Sequence, residues 1–305
     1  MKKKMIMTYN EKHFEKDLNQ HLNNRLQSLT VWQNHTLDFL IRYLLASNEK
    51  EQLPHCNAFL HILVKIRFNL ESVGFLLPLM FDDYRYKTSV NLIYRSLVDD
   101  IINSYYLFCT IVLDDPDQHA LDNELSILHK EYVLSVIKGI KADFEFEKFV
   151  DELKDAPHGH EINVEEEFKQ ANPDLVGIDG NWKKNQEIRA TTHPILSKEL
   201  NQGKSNIFIS ESKKLEFIRK RGVQTHHNIE ALFKYLSQYQ HFSPKAHDLL
   251  NSHIEFDINV YQRCLGELLM LLDQLMQFLE LHQKAELKEE WDALAPLVFD
   301  SFSDK

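Results

Sequence analysis

The stretch from Lys87 to Val112, KTSVNLIYRSLVDDIINSYYLFCTIV, determines how the rest of the chain can fold. Apolar side chains recur along it at helical spacing and cover most of its circumference. They are Val90, Leu92, Ile93, Leu97, Ile101, Ile102, Tyr105, Tyr106, Phe108, Cys109 and Val112. A helix that is apolar on most sides is usually buried among other elements. The stretch therefore predicts the central helix of an all-α protein.

A line of polar residues interrupts this apolar surface. Arg95, Asp99 and Asn103 follow one another at four-residue spacing, which places them on one side of the predicted helix. Because a buried charge is costly unless it is paired, the line needs partners or a function. Two interpretations are open. The pair Arg95 and Asp99 is either a structural ion pair that fixes the helix, or a ligand site in which Arg95 binds an anion.

Composition favours helices throughout the chain. Its 305 residues include eight glycines and eight prolines, and glycine is at well under half its usual frequency, so there are few helix breakers. Three widely spaced cysteines predict neither a disulfide framework nor a zinc site, and together with the lack of a signal peptide they indicate a cytoplasmic protein. No apolar run reaches about 18 residues, so no membrane span is expected.

Helical periodicity predicts an irregular multi-helix bundle that forms one domain over residues 1–305. A helix with a narrower, partly exposed apolar face follows Pro116, and Pro78 marks a kink or an end. Residues 205–210, SNIFIS, are the only candidate strand. The other predicted helices, the last of which is the second long central helix, cover about 11–29, 30–46, 56–79, 226–240 and 256–281.

Residues 143–183 differ in kind from their surroundings. Ten acidic residues and two lysines lie between positions 143 and 167, and the turn-rich stretch ANPDLVGIDGNW follows at 171–182. This composition predicts an acidic helix followed by a polar, partly irregular insertion. The insertion is either a solvated surface or a lid over a site.

A serine and a histidine lie one helical turn apart in the segment FKYLSQYQH, residues 233–241. Ser237 and His241 are candidate catalytic residues, because a hydroxyl beside an imidazole is the nucleophile–base pair of many hydrolases. Such chemistry also needs an orienting acid and an oxyanion hole, and neither is visible nearby in the sequence. The alternative is a hydrogen bond that helps to join helices.

The motifs Arg95-Ser-Leu-Val-Asp99 and Leu-Ser237-Gln-Tyr-Gln-His241 together resemble a bacterial all-helical family of unknown function. The resemblance covers roughly residues 55–280. It implies that Arg95, Asp99, Ser237 and His241 converge in one pocket between helices, and it implies no known activity. The expected ligand is a small polar or anionic molecule.

The segment Arg221-Gly222-Val-Gln-Thr-His226 is similar to the Arg-x4-His motif of HEPN helical domains, many of which are RNases of toxin–antitoxin and defence systems. The resemblance implies that Arg221 and His226 act on an RNA phosphodiester without metal, across a homodimer. Seven basic residues against three acidic ones between positions 198 and 221 suit RNA, although the net charge of −11 argues against general nucleic-acid binding. The family usually has a polar residue where Gly222 stands.

Metal and cofactor sites lack a complete sequence pattern. There is no Glu-x-x-His pair of the kind found in dimetal helical bundles, no phosphate-binding loop and no Gly-rich dinucleotide motif. We therefore expect neither a metal nor a cofactor. The incomplete clusters are His158-Gly-His160-Glu161, His226 with Glu230, and His247-Asp248, which is similar to part of the HD-type phosphohydrolase pattern.

Three functions remain open from the sequence. The first is a helical protein whose buried polar pocket binds a small ligand. The second is a metal-independent RNase of the HEPN type. The third is a non-catalytic scaffold in which every buried charge is only a paired core group.

Overall fold

The computed structural model describes residues 9–48, 54–83, 85–112, 118–154, 163–189, 207–223, 226–240 and 254–299. These residues form ten α-helices and no strand, so the all-α prediction is confirmed. The helices are α1 (Tyr9–Ser47), α2 (Pro54–Asp82), α3 (Tyr86–Val112), α4 (Gln118–Leu153), α5 (Val164–Ala171), α6 (Asn185–Ile188), α7 (Glu211–Lys220), α8 (His226–Ser237), α9 (Ile254–Phe278) and α10 (Ala285–Phe299).

Two details of the predicted elements are wrong, and a third is narrowed. Helix α1 does not break near Thr30, because the Thr30 hydroxyl donates to the carbonyl of Leu26 (3.0 Å) within the helix instead of capping a new one. Helix α2 continues past Pro78, with the side chains of Leu77 and Met80 buried on either side, so Pro78 does not end the helix and the alternative of a kink there stays a prediction. The described part of the candidate strand, residues 207–210, has no partner strand among the described residues and stays irregular.

The chain divides into two compact units, and the first comprises Met1–Tyr106 with Lys214–Lys305. Helix α3 is an axis of this unit. Tyr94 stacks on Tyr261 of α9 with ring centroids 4.3 Å apart, and its hydroxyl donates to Gln33 of α1 (2.6 Å). Helix α9 is buried along most of its length and packs on α1, α8 and α10. The two long helices expected at the centre are therefore α3 and α9.

The second unit comprises Leu107–Lys213, and α4 is its longest helix. Residues 143–153 of the predicted insertion continue α4, and residues 163–189 form α5, a tight turn and α6. Buried Arg189 makes two hydrogen bonds to Glu124 of α4 (2.6 and 3.0 Å), which fastens this stretch to the helix. The turn needs a glycine at Gly180, where φ is +73°. The single-domain organisation and the role of a lid stay predictions.

None of the described helices is long and apolar enough to cross a membrane. The three cysteines, Cys56, Cys109 and Cys264, are free thiols buried in the helices.

Candidate functional site

Three of the four residues nominated by the sequence meet in the first unit. Arg95 of α3 donates from Nε to the hydroxyl of Ser237 on α8 (2.8 Å) and forms an ion pair with Asp99 one turn along its own helix. The guanidinium also lies 4.0 Å from the ring centroid of Phe233, within range of a cation–π contact. Arg95 is only 5% exposed. The fourth residue, His241, lies outside the described residues.

The hydrogen bonds of Ser237 decide what its hydroxyl can do. Its oxygen accepts from Arg95, and its proton is donated to the carbonyl of Phe233 (2.7 Å) on the preceding turn of α8. A nucleophilic serine needs that proton directed at a base. In this arrangement Ser237 links α3 to α8. The roles of Arg95, Asp99 and Ser237 in ligand binding stay predictions.

Two of the remaining nominated residues, Asn103 and Arg221, are described in the same unit. Asn103, the third member of the polar line, accepts from Lys214 of α7 (2.8 Å). Arg221 stacks over Phe217 with its guanidinium carbon 4.9 Å from the ring centroid. The side chain of His226 lies outside the described residues, as do residues 158–161 and 247–248. RNA cleavage by Arg221 and His226 stays a prediction.

A second buried polar cluster holds α9 against α3 and α8. Lys87 and Asp257 form an ion pair (2.7 Å) in which the two side chains are 2% and 0% exposed. The hydroxyls of Tyr235 and Tyr239 donate to the same carboxylate (2.9 and 3.2 Å). Burial raises the pKa of Tyr239, with further contributions from the Tyr235 hydroxyl and the Asp257 charge, so this hydroxyl stays protonated and remains a donor.

An open groove lies on the outer side of the same helices. It has a volume of about 940 Å³ and runs between α1, α8 and α9, with the end of α10 at its edge. Its lining combines amides, two arginines, one carboxylate, a histidine and aromatic rings. The lining residues are His21, Asn24, Arg25, Ser28, Trp32, Asn228, Phe256, Asn259, Gln262, Arg263, Gly266, Glu267, Met270 and Phe299. We call this feature the α1–α9 groove.

Arg25 joins the two walls of the groove. Its NH1 donates to Glu255 (2.9 Å), and its NH2 donates to Gln262 (3.0 Å) and to Asn259. All three acceptors belong to α9, whereas Arg25 belongs to α1. Most of the donors of Arg25 are therefore engaged within the protein, and its charge is balanced by Glu255.

Arg263 is held differently. Its Nε donates to the side-chain oxygen of Asn228 on α8 (2.6 Å), and the Asn228 amide group donates in turn to Glu267. Within the described part of the chain, this is the only hydrogen bond of the Arg263 guanidinium, and its charge has no carboxylate in direct contact. Arg263 is thus oriented through Asn228 and Glu267, while its two terminal nitrogens make no hydrogen bond within the described part of the chain.

Sequence reasoning missed the groove, although part of the signal was present. Asn259, Gln262, Arg263 and Glu267 recur at helical spacing along α9, so they form a polar strip on a helix that is otherwise apolar. A strip of this kind normally faces solvent, and its sequence does not reveal the concave surface that α1 and α8 build beside it.

No protein-family model, curated protein or solved structure matches this chain. The two resemblances stated from short motifs therefore stay predictions, and the function is argued from the geometry of the groove.

Proposed function

We propose that the protein binds a small ligand that carries an anionic group and an aromatic or apolar part, and that the ligand occupies the α1–α9 groove. The observation that carries this proposal is the hydrogen bonding of Arg263. This residue lines the groove and is held by a hydrogen bond from Nε alone, within the described part of the chain. The proposal keeps the ligand class expected from the sequence and moves the site away from Arg95.

The dimensions of the groove suit a small molecule. Ligand sites typically have volumes of about 300–1,000 Å³ and combine apolar walls with a few placed polar groups. The groove has a volume of about 940 Å³. A ligand smaller than the whole groove could fill the part between Trp32 and Arg263.

The anionic group follows from the chemistry of the guanidinium. Arginine presents its donors in a planar fork that matches the oxygens of carboxylates and phosphates. Because Asn228 and Glu267 already hold Arg263 in one orientation, a ligand loses less side-chain entropy when it binds there. Arg25 contributes a second positive charge at the other wall, although Glu255 offsets much of it.

The apolar part of the ligand follows from the other lining residues. Trp32, Phe256 and Phe299 present rings, and Met270 presents a flexible thioether that adapts to different shapes. Phe256 is half exposed, so covering it with a ligand removes apolar surface from water. The three free, buried thiols are compatible with a reducing compartment, and we expect the protein to act in the cytoplasm.

The proposal is tested by thermal unfolding in the presence of three probes: phenyl phosphate, which has both features, inorganic phosphate, which has only the charge, and phenol, which has only the ring. We expect phenyl phosphate to raise the melting temperature most, because ligand binding to the folded state stabilises it. Arg263→Ala should abolish that shift. The control is Arg67→Ala, which removes an arginine paired with Glu71 on the surface of α2. Equal shifts in the two variants would reject the groove as the site.

A further inference from the structure

The exposed side of α4 carries eight positions in a regular heptad pattern. Successive members are separated alternately by four and three residues, the spacing of the contact positions in a two-stranded coiled coil. All eight are exposed to solvent. We call this set the α4 seam: Leu128, Tyr132, Ser135, Gly139, Ala142, Phe146, Phe149 and Leu153.

The seam is not the side of α4 that packs inside its own unit. Val133 and Ile137 lie on the opposite side of the helix and are buried against Val164 of α5, with Phe168 and Trp182 around them. This apolar cluster of the second unit therefore packs without using any residue of the α4 seam. Large apolar groups nevertheless occupy its ends; Tyr132 is 67% exposed, Phe146 65% and Leu153 70%. Two exposed apolar clusters on one side of a helix indicate an interaction site.

The order of side-chain sizes along the seam suits a second copy of the same seam. Large residues stand at both ends and small ones at the middle, so large side chains meet large ones and small meet small when two copies run in opposite directions. We propose that the α4 seams of two copies of this chain pack antiparallel about a two-fold axis near Gly139 and Ala142. The resulting layers pair Leu128 with Leu153, Tyr132 with Phe149, Ser135 with Phe146, and Gly139 with Ala142 of the second copy.

The centre of this pairing is suited to a close approach of two helices. A Cβ atom at Gly139 would have no neighbour within 4 Å, so the space beside this residue is open in the single chain. A glycine opposite an alanine allows the helix backbones to approach, which seats Phe146 in the space above Ser135 of the second copy. Glycine weakens a helix interior, and the interface gives its presence there a physical reason.

The charges that flank the seam favour a weak contact between two copies. Antiparallel alignment brings Lys138 of each copy beside Glu145 of the other, and it also brings Glu131 beside Glu152, a like-charge pair that offsets part of this attraction. Complete coverage of the five large seam residues would bury about 600 Å² per copy and about 1,200 Å² in all, the lower end of the range for specific interfaces. We therefore expect a reversible dimer.

Sedimentation velocity of the full chain over a series of concentrations tests the dimer. We expect a concentration-dependent dimer that Phe146→Glu converts to monomer. The matched control is Phe75→Glu, which places the same charge at an 80% exposed phenylalanine on α2 and should leave the dimer intact. A wild-type chain that stays monomeric at the highest concentration overturns the proposal, and so does a dimer that survives Phe146→Glu.

Gly139→Gln separates the interface from the fold. Glutamine is a better helix former than glycine and has open space in the single chain, so the melting temperature of the monomer should stay the same or rise. The dimer should dissociate at least about tenfold more readily, because the added side chain blocks the close approach. Unchanged dimer affinity in this variant would contradict the antiparallel centre at Gly139.

Cysteine cross-linking tests the direction of pairing. In the antiparallel dimer the two copies of residue 128 are about 37 Å apart along the helices, whereas residue 128 of one copy lies beside residue 153 of the other. Leu128→Cys and Leu153→Cys should therefore form no disulfide alone and should form a mixed disulfide when combined. Because the native cysteines are buried, they do not compete. Cross-linking of either variant with itself would indicate parallel pairing and overturn the proposed geometry.

Discussion

Arg95 and Arg263 have the same side chain and belong to the same unit, yet their surroundings differ. Arg95 is 5% exposed and is surrounded by protein partners, including Ser237 and Asp99. Arg263 lines an open groove and is oriented by one hydrogen bond to Asn228. The first arginine joins two helices, and the second keeps its two terminal nitrogens uncommitted beside the groove. The comparison teaches that the predicted burial of a charged residue does not by itself distinguish a structural contact from a candidate ligand site.

The two sites are also connected through the fold. Arg95 secures the C-terminal end of α8 through Ser237, and the same helix carries Asn228 near its start. The ion pair of Lys87 with Asp257 secures the start of α9, which carries Arg263. The buried charges thus set the positions of two of the three helices that form the groove. Variants of the enclosed residues should therefore lower stability, and variants of the groove residues should lower affinity.

The largest effect is expected for Lys87→Met. It leaves the Asp257 carboxylate buried without its cation, and breaking such a pair costs about 3–5 kcal/mol of unfolding free energy. Urea unfolding followed by tryptophan fluorescence in a Trp182→Phe background measures this, because the remaining tryptophans, Trp32 and Trp291, both belong to the first unit. Lys234→Met, which breaks the exposed pair with Glu230, is the control and should cost less than about 1 kcal/mol. Similar losses of unfolding free energy in Lys87→Met and Lys234→Met would show that the buried ion pair contributes no more to stability than the exposed one.

Arg95→Ala should have the next largest effect, a loss of about 2–3 kcal/mol. It removes a hydrogen bond to Ser237, a cation–π contact with Phe233 and the partner of Asp99, which is partly exposed and can regain water. The same urea titration checks this. A variant that keeps wild-type stability but no longer responds to phenyl phosphate would instead make Arg95 a ligand residue, as the sequence motif suggests.

Arg263→Ala should change stability by less than about 1 kcal/mol, because the Asn228 side chain that it releases borders the groove and can bond to water. Arg25→Ala should cost more, since Arg25 joins α1 to three side chains of α9. Urea unfolding of both variants tests the order. A larger loss for Arg263→Ala than for Arg25→Ala would assign Arg263 a structural role.

The smallest effect concerns the carboxylate of Asp100. It is buried and pairs with the exposed side chain of Lys65, whose Nζ lies 2.6 Å from Oδ1 of Asp100. Burial, with a smaller contribution from the Asp99 charge, raises the pKa of Asp100, although the Lys65 hydrogen bond and charge lower it. A carboxyl with a raised pKa stabilises the fold below its ordinary pKa of about 4 and loses that contribution as the pH rises through the raised value. Relative to Asp100→Asn, the wild type should therefore lose stability as the pH rises from about 4. Parallel stability–pH curves for the two proteins would contradict this.

Much of the fold could be predicted from the sequence because α3 is apolar on most sides. The predicted helix 87–112 and the observed helix Tyr86–Val112 nearly coincide, since a helix of this pattern is stable only inside a core. The break expected near Thr30 was wrong because a threonine can satisfy its hydroxyl within a helix as well as cap one. Local pattern does not distinguish these two uses.

The groove could not be predicted for a different reason. Arg25 and Arg263 are separated by more than two hundred residues, and each has the local pattern of a solvated surface charge. What makes Arg263 notable is the hydrogen bond from α9 to Asn228 on α8, which depends on the packing of two helices. The contact between Arg95 and Ser237 was expected only from the resemblance to a helical family that the two motifs carry together.

The most direct measurement is a fluorescence titration of Trp32, the tryptophan that lines the groove, in a Trp182→Phe/Trp291→Phe background. Phenyl phosphate should change its emission with a saturable curve, and Arg263→Ala should weaken the apparent affinity by about tenfold or more, the loss expected for one bidentate charged contact. A titration curve that is identical with and without Arg263, or an emission that phenyl phosphate does not alter at all, would contradict ligand binding in the α1–α9 groove.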